Sequence, residues 1–458
     1  MKTNVKTVTP APRTAEGALA SRISPELQLR RSVMACLLWE DNFYVDGQKV
    51  GDRIASLVQD VAPEKVAQIA IEAREQQKLR HAPLWVVRAM AKSNKHKAHV
   101  SCVLPIVIQR ADELSEFLSL YWKDKKQPIS KQVKKGLARA FIKFDEYGLA
   151  KYNRNNDIKL RDVLFLCHAK PQNAKQAALW KKLINDELTT PDTWEVELST
   201  GKGENKKESW ERLLTENKLG ALALLRNLRN MEQTGVSDTL IRKALRECNP
   251  VKVLPFRFIT AAKYAPKYEP ELEQLMFKSC AALPRLKGKT IIAVDVSGSM
   301  QGRLSSQSEL NRMDTAISLA MLLRELCEEV VIYATAGNDA TRIHATELVR
   351  ARRGFALHKE VMEAASRLGG GGIFVKQCMD FLYQKEKNAD RVIVICDSQD
   401  CDLVNKPDSA NAFGKHNYLM DISAETNGVG YSKFIVLNGF SEALVNFVAQ
   451  NEALDTGN

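Results

Sequence analysis

Asp295, Ser297 and Ser299 stand at alternate positions in Asp295-Val-Ser-Gly-Ser299, directly after the apolar run Ile291-Ile-Ala-Val294. A carboxylate and two hydroxyls are hard oxygen donors, the kind Mg²⁺ prefers. An apolar run ending in an acid reads as a buried strand opening into a loop. In an open α/β sheet, ligands sit just beyond the carboxyl ends of the strands. Arg391-Val-Ile-Val-Ile-Cys-Asp397 repeats the pattern further along the chain. A carboxylate buried at a strand end needs a cation or hydrogen-bond donors, so Asp397 joins Asp295, Ser297 and Ser299 in the expected metal set. No His lies within either motif. Ligand binding or a structural role is therefore expected there, and no enzyme activity.

A second group of residues suits polyanions. Residues 123–170 hold 13 Lys and Arg against 5 Asp and Glu. Lys131, Lys135, Arg139 and Lys143 recur at four-residue spacing, which puts them on one face of a helix, with Leu137, Phe141 and Phe144 turned to the core. Lysines along one face bind phosphates, and nearby aromatic or His side chains can stack on unpaired bases. The charge balance of the chain agrees with this. Residues 281–458 carry 19 Lys and Arg against 22 Asp and Glu, and residues 1–280 carry 48 against 33, so all of the +12 excess lies in the first part. That predicts a polyanion-binding first module and a near-neutral second one.

Two grammars must position these groups. From about Glu26 to Leu283 helix-length blocks with apolar residues three and four apart follow one another, among them Ile54–Ile71, Ser130–Phe144 and Leu160–Cys167. About a dozen helices without interleaved strands predict stacked pairs in a degenerate HEAT-like array. From Gly288 strands and helices alternate, which predicts a parallel sheet covered on both faces. The expected division is a flexible arm over 1–24, a helical module over 25–284 and an α/β domain over 285–458. A length of 458 residues supports two or three domains. No apolar run approaches the roughly 18 residues that cross a membrane, and no signal-type segment stands near Met1. The nine scattered cysteines make a full disulfide framework unexpected. Cys102, Cys327 and Cys396, in apolar surroundings, read as buried thiols of a protein in the reducing cytoplasm.

The Asp295–Ser299 motif resembles the metal-ion-dependent adhesion site of von Willebrand factor A domains. Such domains place a threonine on a glycine-rich loop between the two acids. Here the loop is Gly369-Gly-Gly-Gly372, but Gly372 and Ile373 stand where the threonine should fall. Two carboxylates and two hydroxyls would then hold Mg²⁺ with water in the remaining positions.

The basic segment reads K-x-G-L-x-x-A-F-x-K-F-x-x-Y-x-L-A-K-Y from Lys134 to Tyr152, then L-R-D-V-L-x-L-x-H-x-K-P from Leu160 to Pro171. This order resembles the TROVE module of the Ro 60-kDa autoantigen family and its bacterial relatives. That family couples a ring of HEAT-like helices to a C-terminal von Willebrand factor A domain, the same order as the two modules here. The resemblance implies a non-enzymatic ribonucleoprotein built on a small noncoding Y or Y-like RNA. Its role would be RNA quality control, processing or decay, with RNA presented to an exoribonuclease. Structured RNA would bind the outer surface, and misfolded or single-stranded ends would enter the ring cavity; neither DNA nor a membrane is implied. The functional lysine and histidine of the family match Lys151 and His168. The basic residue usual just after the tyrosine is Asn153 here, with Arg154 next, and Arg161 and Lys170 can supply part of that contact. Lys131, Lys135 and Arg139 are candidates for the cavity lining. The other open reading is an A-domain interaction protein that uses Mg²⁺ at Asp295, Ser297 and Ser299 to capture a partner's carboxylate.

Overall fold

The computed structural model describes residues 24–34, 47–75, 79–153, 156–189, 206–251, 253, 256–281, 283, 285–302, 310–398, 400–401, 413–422, 434–438, 444, 448–449 and 451–452. The arm expected over 1–24 (but for Ser24) and Arg154 lie outside them. The chain divides into two compact units.

One unit spans Gln48–Ser279. Its helices are α2 (Gly47–Asp60), α3 (Pro63–Glu75), α4 (His81–Lys92), α5 (Val100–Val107), α6 (Asp112–Tyr121), α7 (Lys131–Phe141), α8 (Glu146–Tyr152), α9 (Leu160–Cys167), α10 (Ala174–Ile184), α11 (Lys206–Thr215), α12 (Ala221–Gln233), α13 (Asp238–Glu247), α14 (Phe256–Tyr264) and α15 (Glu269–Ala281). The single helix expected over Ile54–Ile71 is two, because Pro63 cannot continue α2 but suits the first position of α3. Helices adjacent in the chain pack on one another, as α3 does on α4 and α4 on α5; α5 and α7 also pack closely. Gly136 allows that last approach, since a Cβ there would fall 3.0 Å from Leu104 Cβ. α3 and α6 are pinned by a buried ion pair. Arg74 donates to both carboxylate oxygens of Glu113, at 2.7 and 2.9 Å. Glu113 Oε2 also accepts the backbone N–H groups of Gln109 and Arg110 at the start of α6.

The other unit holds a six-stranded sheet in the order β3-β2-β1-β4-β5-β6, with β1 Leu286–Asp295, β2 Cys327–Asn338, β3 Ile343–Leu348, β4 Arg391–Cys396, β5 His416–Asp421 and β6 Ile435–Asn438. Its helices include α16 (Arg312–Leu326), α17 (Gly354–Leu368) and α18 (Val375–Lys385). The sheet is mixed, which corrects the all-parallel expectation: β3 pairs antiparallel with β2, and the other neighbours pair in parallel. The short turn between β2 and β3 permits only an antiparallel return, since a parallel crossover needs a dozen residues or more. Ile291–Val294 and the whole of β4 are buried, as their apolar runs predict. Helix α1 (Pro25–Met34) packs beside β6, with Leu29 and Val33 buried. It therefore belongs to this unit and not to the helical module that follows it in sequence.

The strand order reverses direction between β1 and β4, and ligand crevices of open α/β sheets form at such a switch point. Cys327 and Cys396 are buried as expected. Cys102 is exposed, which corrects the third assignment: α5 turns that position outward between the buried Ser101 and Val103.

Candidate functional sites

Local sequence signals fix α7, α8 and α9. The Ser130 side chain caps α7 by accepting the Val133 N–H at 3.4 Å. Asp145 caps α8 by accepting the Gly148 N–H at 2.7 Å. Asp162 reaches back to the Lys159 N–H at 2.9 Å to start α9. α9 ends on His168, whose φ of 54° is left-handed, and its N–H returns to the Phe165 carbonyl. α7 packs on α9 and α5, burying Val133, Leu137, Ala140 and Phe141. Phe144 is only half-buried, short of the core position expected for it.

This packing brings together two nitrogen-bearing side chains 34 residues apart: Lys134 Nζ lies 3.3 Å from His168 Nε2. Lys131 and Lys135 are exposed on the same helix as Lys134, and Lys170 is exposed just past His168. Two aromatic rings stand out among them, Tyr147 on α8 and Phe165 on α9, each 57% exposed. Lys151 is half-buried on α8, with its ammonium over the Tyr147 and Tyr152 rings at 5.9 and 5.7 Å. Arg161 is paired with Asp186 at 2.7 Å.

Arg139 departs from the shared face expected of it. Its guanidinium donates to the Ser101 carbonyl on α5 at 3.2 Å. Lys143 likewise donates to the carbonyls of Pro105 and Ile108 at the end of α5. The four-residue stripe is thus split, with Lys131 and Lys135 open to solvent and Arg139 and Lys143 holding α5. Lys134 is the residue that sequence reading passed over, because only the packing of α7 on α9 reveals its partner.

In the α/β unit, Asp295 ends β1 and Asp397 follows the neighbouring strand β4, and both are fully buried. Asp295 Oδ1 accepts the Ser297 N–H at 2.8 Å, and Oδ2 is buried without a hydrogen-bond partner. Burial, then the charge of Asp397, pushes the Asp295 carboxyl up to about 8. The hydroxyls of Ser297 and Ser299 lie 3.1 Å apart. Asp397 Oδ2 accepts from the Arg312 guanidinium at 2.7 Å. The glycine loop crosses closely here, with the Gly298 N–H directed at the Gly371 carbonyl at 3.4 Å. A Cβ at Gly372 would fall 2.3 Å from Cys401 Sγ, so a threonine there would have to displace the Cys401 side chain. Among the described residues, no group of three or more His, Cys, Asp or Glu could hold a metal ion. Asp295 Oδ2 and the two hydroxyls suit Mg²⁺, but one acid of the expected set is engaged by a guanidinium and one hydroxyl is missing. With Arg312 in place the donors do not fit a bound Mg²⁺.

The TROVE domain family model matches residues 185–344, a span that runs through α11–α15 into the sheet and leaves α7–α9 outside it. Telomerase protein component 1 of Mus musculus is 38% identical over 91 residues, which is 19% of this chain and 3% of that protein. The Rattus norvegicus protein of that name is 35% identical over 91 residues, again 19% and 3%. The chain thus spans about 3% of the length of these curated relatives. Among solved structures, the crystal structure of the Deinococcus radiodurans RO (RSR) protein superposes with a TM-score of 0.62 at 17% identity, covering 94% of this chain and 100% of that one. That likeness extends over a helical module and an α/β domain together. Residues 185–344 are thus similar to the TROVE domain, and the fold is that of the Deinococcus radiodurans RO (RSR) protein.

Proposed function

We propose that the helical unit binds a structured small noncoding RNA of the Y or Y-like kind, through the surface built by α7, α8 and α9. The observation that carries this reading is the Lys134–His168 pair, set among exposed Lys131, Lys135 and Lys170. Ammonium groups there contact phosphates, while exposed Tyr147 and Phe165 offer faces on which unpaired bases stack. Rings left open to water beside cations suit RNA loops and bulges better than a regular duplex, whose bases are already stacked.

The finer reading of the fold is a HEAT-like helical array joined to a von Willebrand factor A-like domain. The likeness to the Deinococcus protein supports it, as does the crevice between the ends of β1 and β4. In this reading the protein acts in RNA quality control, processing or decay as a binding platform that presents RNA to an exoribonuclease. It does no chemistry itself.

Sequencing the RNA crosslinked to the protein in cells tests the proposal. Enrichment of a few structured small RNAs, with crosslinks at α7–α9, is the expected result. RNA recovered only at the background level of an unrelated basic protein would refute it.

A further inference from the structure

We infer that Arg312 is the resident cation of the crevice at the ends of β1 and β4, filling the electrostatic role that a divalent metal would otherwise have there. Asp397 is fully buried, and a buried carboxylate demands a counter-charge. Arg312 supplies it through a 2.7 Å charge-assisted hydrogen bond, with its own side chain only 18% exposed.

The arginine is held in position by the same backbone that carries the serine donors. Asn311 caps α16 by accepting the Asp314 N–H at 2.7 Å, and Asp314 returns a bond to the Asn311 N–H at 3.2 Å. The Arg312 N–H itself donates to the Gly302 carbonyl at 3.0 Å, and the Gly302 N–H donates to the Ser299 carbonyl at 3.1 Å. Arg312 is therefore fixed at the first position of its helix, against the turn that follows Ser299.

Gly369–Gly372 has no side-chain oxygen, and close packing excludes one, because a Cβ at Gly371 would lie 1.9 Å from the Gly337 carbonyl oxygen. A guanidinium and a divalent ion compete for the same carboxylate lone pairs. The guanidinium is covalently tethered and pays no dehydration of a free ion, whereas Mg²⁺ dehydrates reluctantly. The four oxygen-bearing residues Asp295, Ser297, Ser299 and Asp397 are all still present. Removing the tether is then expected to turn the crevice into a divalent-metal site.

The test titrates Mn²⁺ and Mg²⁺ into the full chain after chelator treatment, read by calorimetry and by thermal unfolding. Wild type, Arg312→Met and Arg312→Lys are compared. Arg312→Met is expected to bind one Mn²⁺ at least about tenfold tighter than wild type and to be stabilised by it. Arg312→Lys, which keeps the charge, is expected to stay as indifferent to metal as wild type. Equal affinity in wild type and Arg312→Met would overturn the inference, as would no binding by a folded Arg312→Met. Should Arg312→Met fail to fold, wild type decides: one Mn²⁺ bound at sub-millimolar concentration and lost in Asp397→Asn refutes the inference, and no such binding upholds it.

Discussion

Lys134 Nζ on α7 lies 3.3 Å from His168 Nε2 at the end of α9. An ammonium only donates, so the imidazole accepts at Nε2 and carries its proton on Nδ1. The pair ties α7 to the end of α9 at the surface and sets a donor-rich edge between them. The proposed RNA contact depends on that edge.

His168→Gly separates an RNA contact from a structural one. The residue adopts a left-handed φ of 54°, which glycine takes without strain. The unfolding temperature should therefore hold or rise slightly. Affinity for a structured small RNA should fall about tenfold or more, the size of a lost hydrogen bond to a charged group. Unchanged affinity in a mobility-shift titration would remove the imidazole from the interface.

Lys151 lies over Tyr147 and Tyr152 and reads as part of the same surface. Lys151→Ala combined with His168→Ser should weaken binding to a Y-like RNA far more than to a single-stranded oligonucleotide. Equal losses on the two ligands would mean that they share one surface.

The strand before Asp295, the second acid at Asp397, the cap at Ser130 and the bounds of α9 are all written in local pattern, and the structure has them. What local pattern hides is of two kinds. β3 is an edge strand with no fully buried residue, so it offers no apolar run to read. α8 has only 7 residues, too few for a helical period to stand out. The second kind is tertiary. Lys134 meets His168, and Arg312 meets Asp397 across 85 residues, by packing that no spacing rule encodes. Arg312 did have one visible sign, an arginine opening the helix that follows the serine motif. The resemblance read from α7–α9 pointed to the TROVE module, while the matched TROVE span begins only after them.

Stability of the helical unit should be sensitive to Glu113, which is fully buried between Arg74 and two backbone donors. Glu113→Ala leaves Arg74 as an uncompensated buried charge, a change that costs about 3–5 kcal/mol. Denaturant unfolding measures it; a loss within experimental scatter would mean that the pair is not what joins α3 to α6.

A half-buried histidine and a buried carboxyl give opposite pH dependence. Burial first, then the charges of Arg80, Arg110 and Arg74, hold His81 down to about 3. The unfolded chain protonates there near ~6.5, so this stability is present above ~6.5 and is lost as pH falls toward the folded value. Asp295, raised to about 8, runs the other way. The folded state keeps a proton that the unfolded chain releases near ~3.9, so stability is full below that and is lost as pH rises toward 8. His81→Gln should flatten the acid side of the profile of unfolding temperature against pH, and Asp295→Asn the alkaline side. An unaltered slope in either variant would contradict its assignment.

If the cations of α7–α9 bind RNA phosphates, the salt dependence of affinity reads that directly. Affinity of the full chain for a structured small RNA is measured from low to physiological salt, for wild type and for the combined Lys131→Ala, Lys134→Ala and Lys135→Ala variant. Wild-type affinity should fall steeply and linearly on logarithmic axes, and the triple variant should bind more weakly with a slope shallower by roughly three, about one per lysine lost. A wild-type affinity indifferent to salt, or a triple variant with the wild-type slope, would contradict the account.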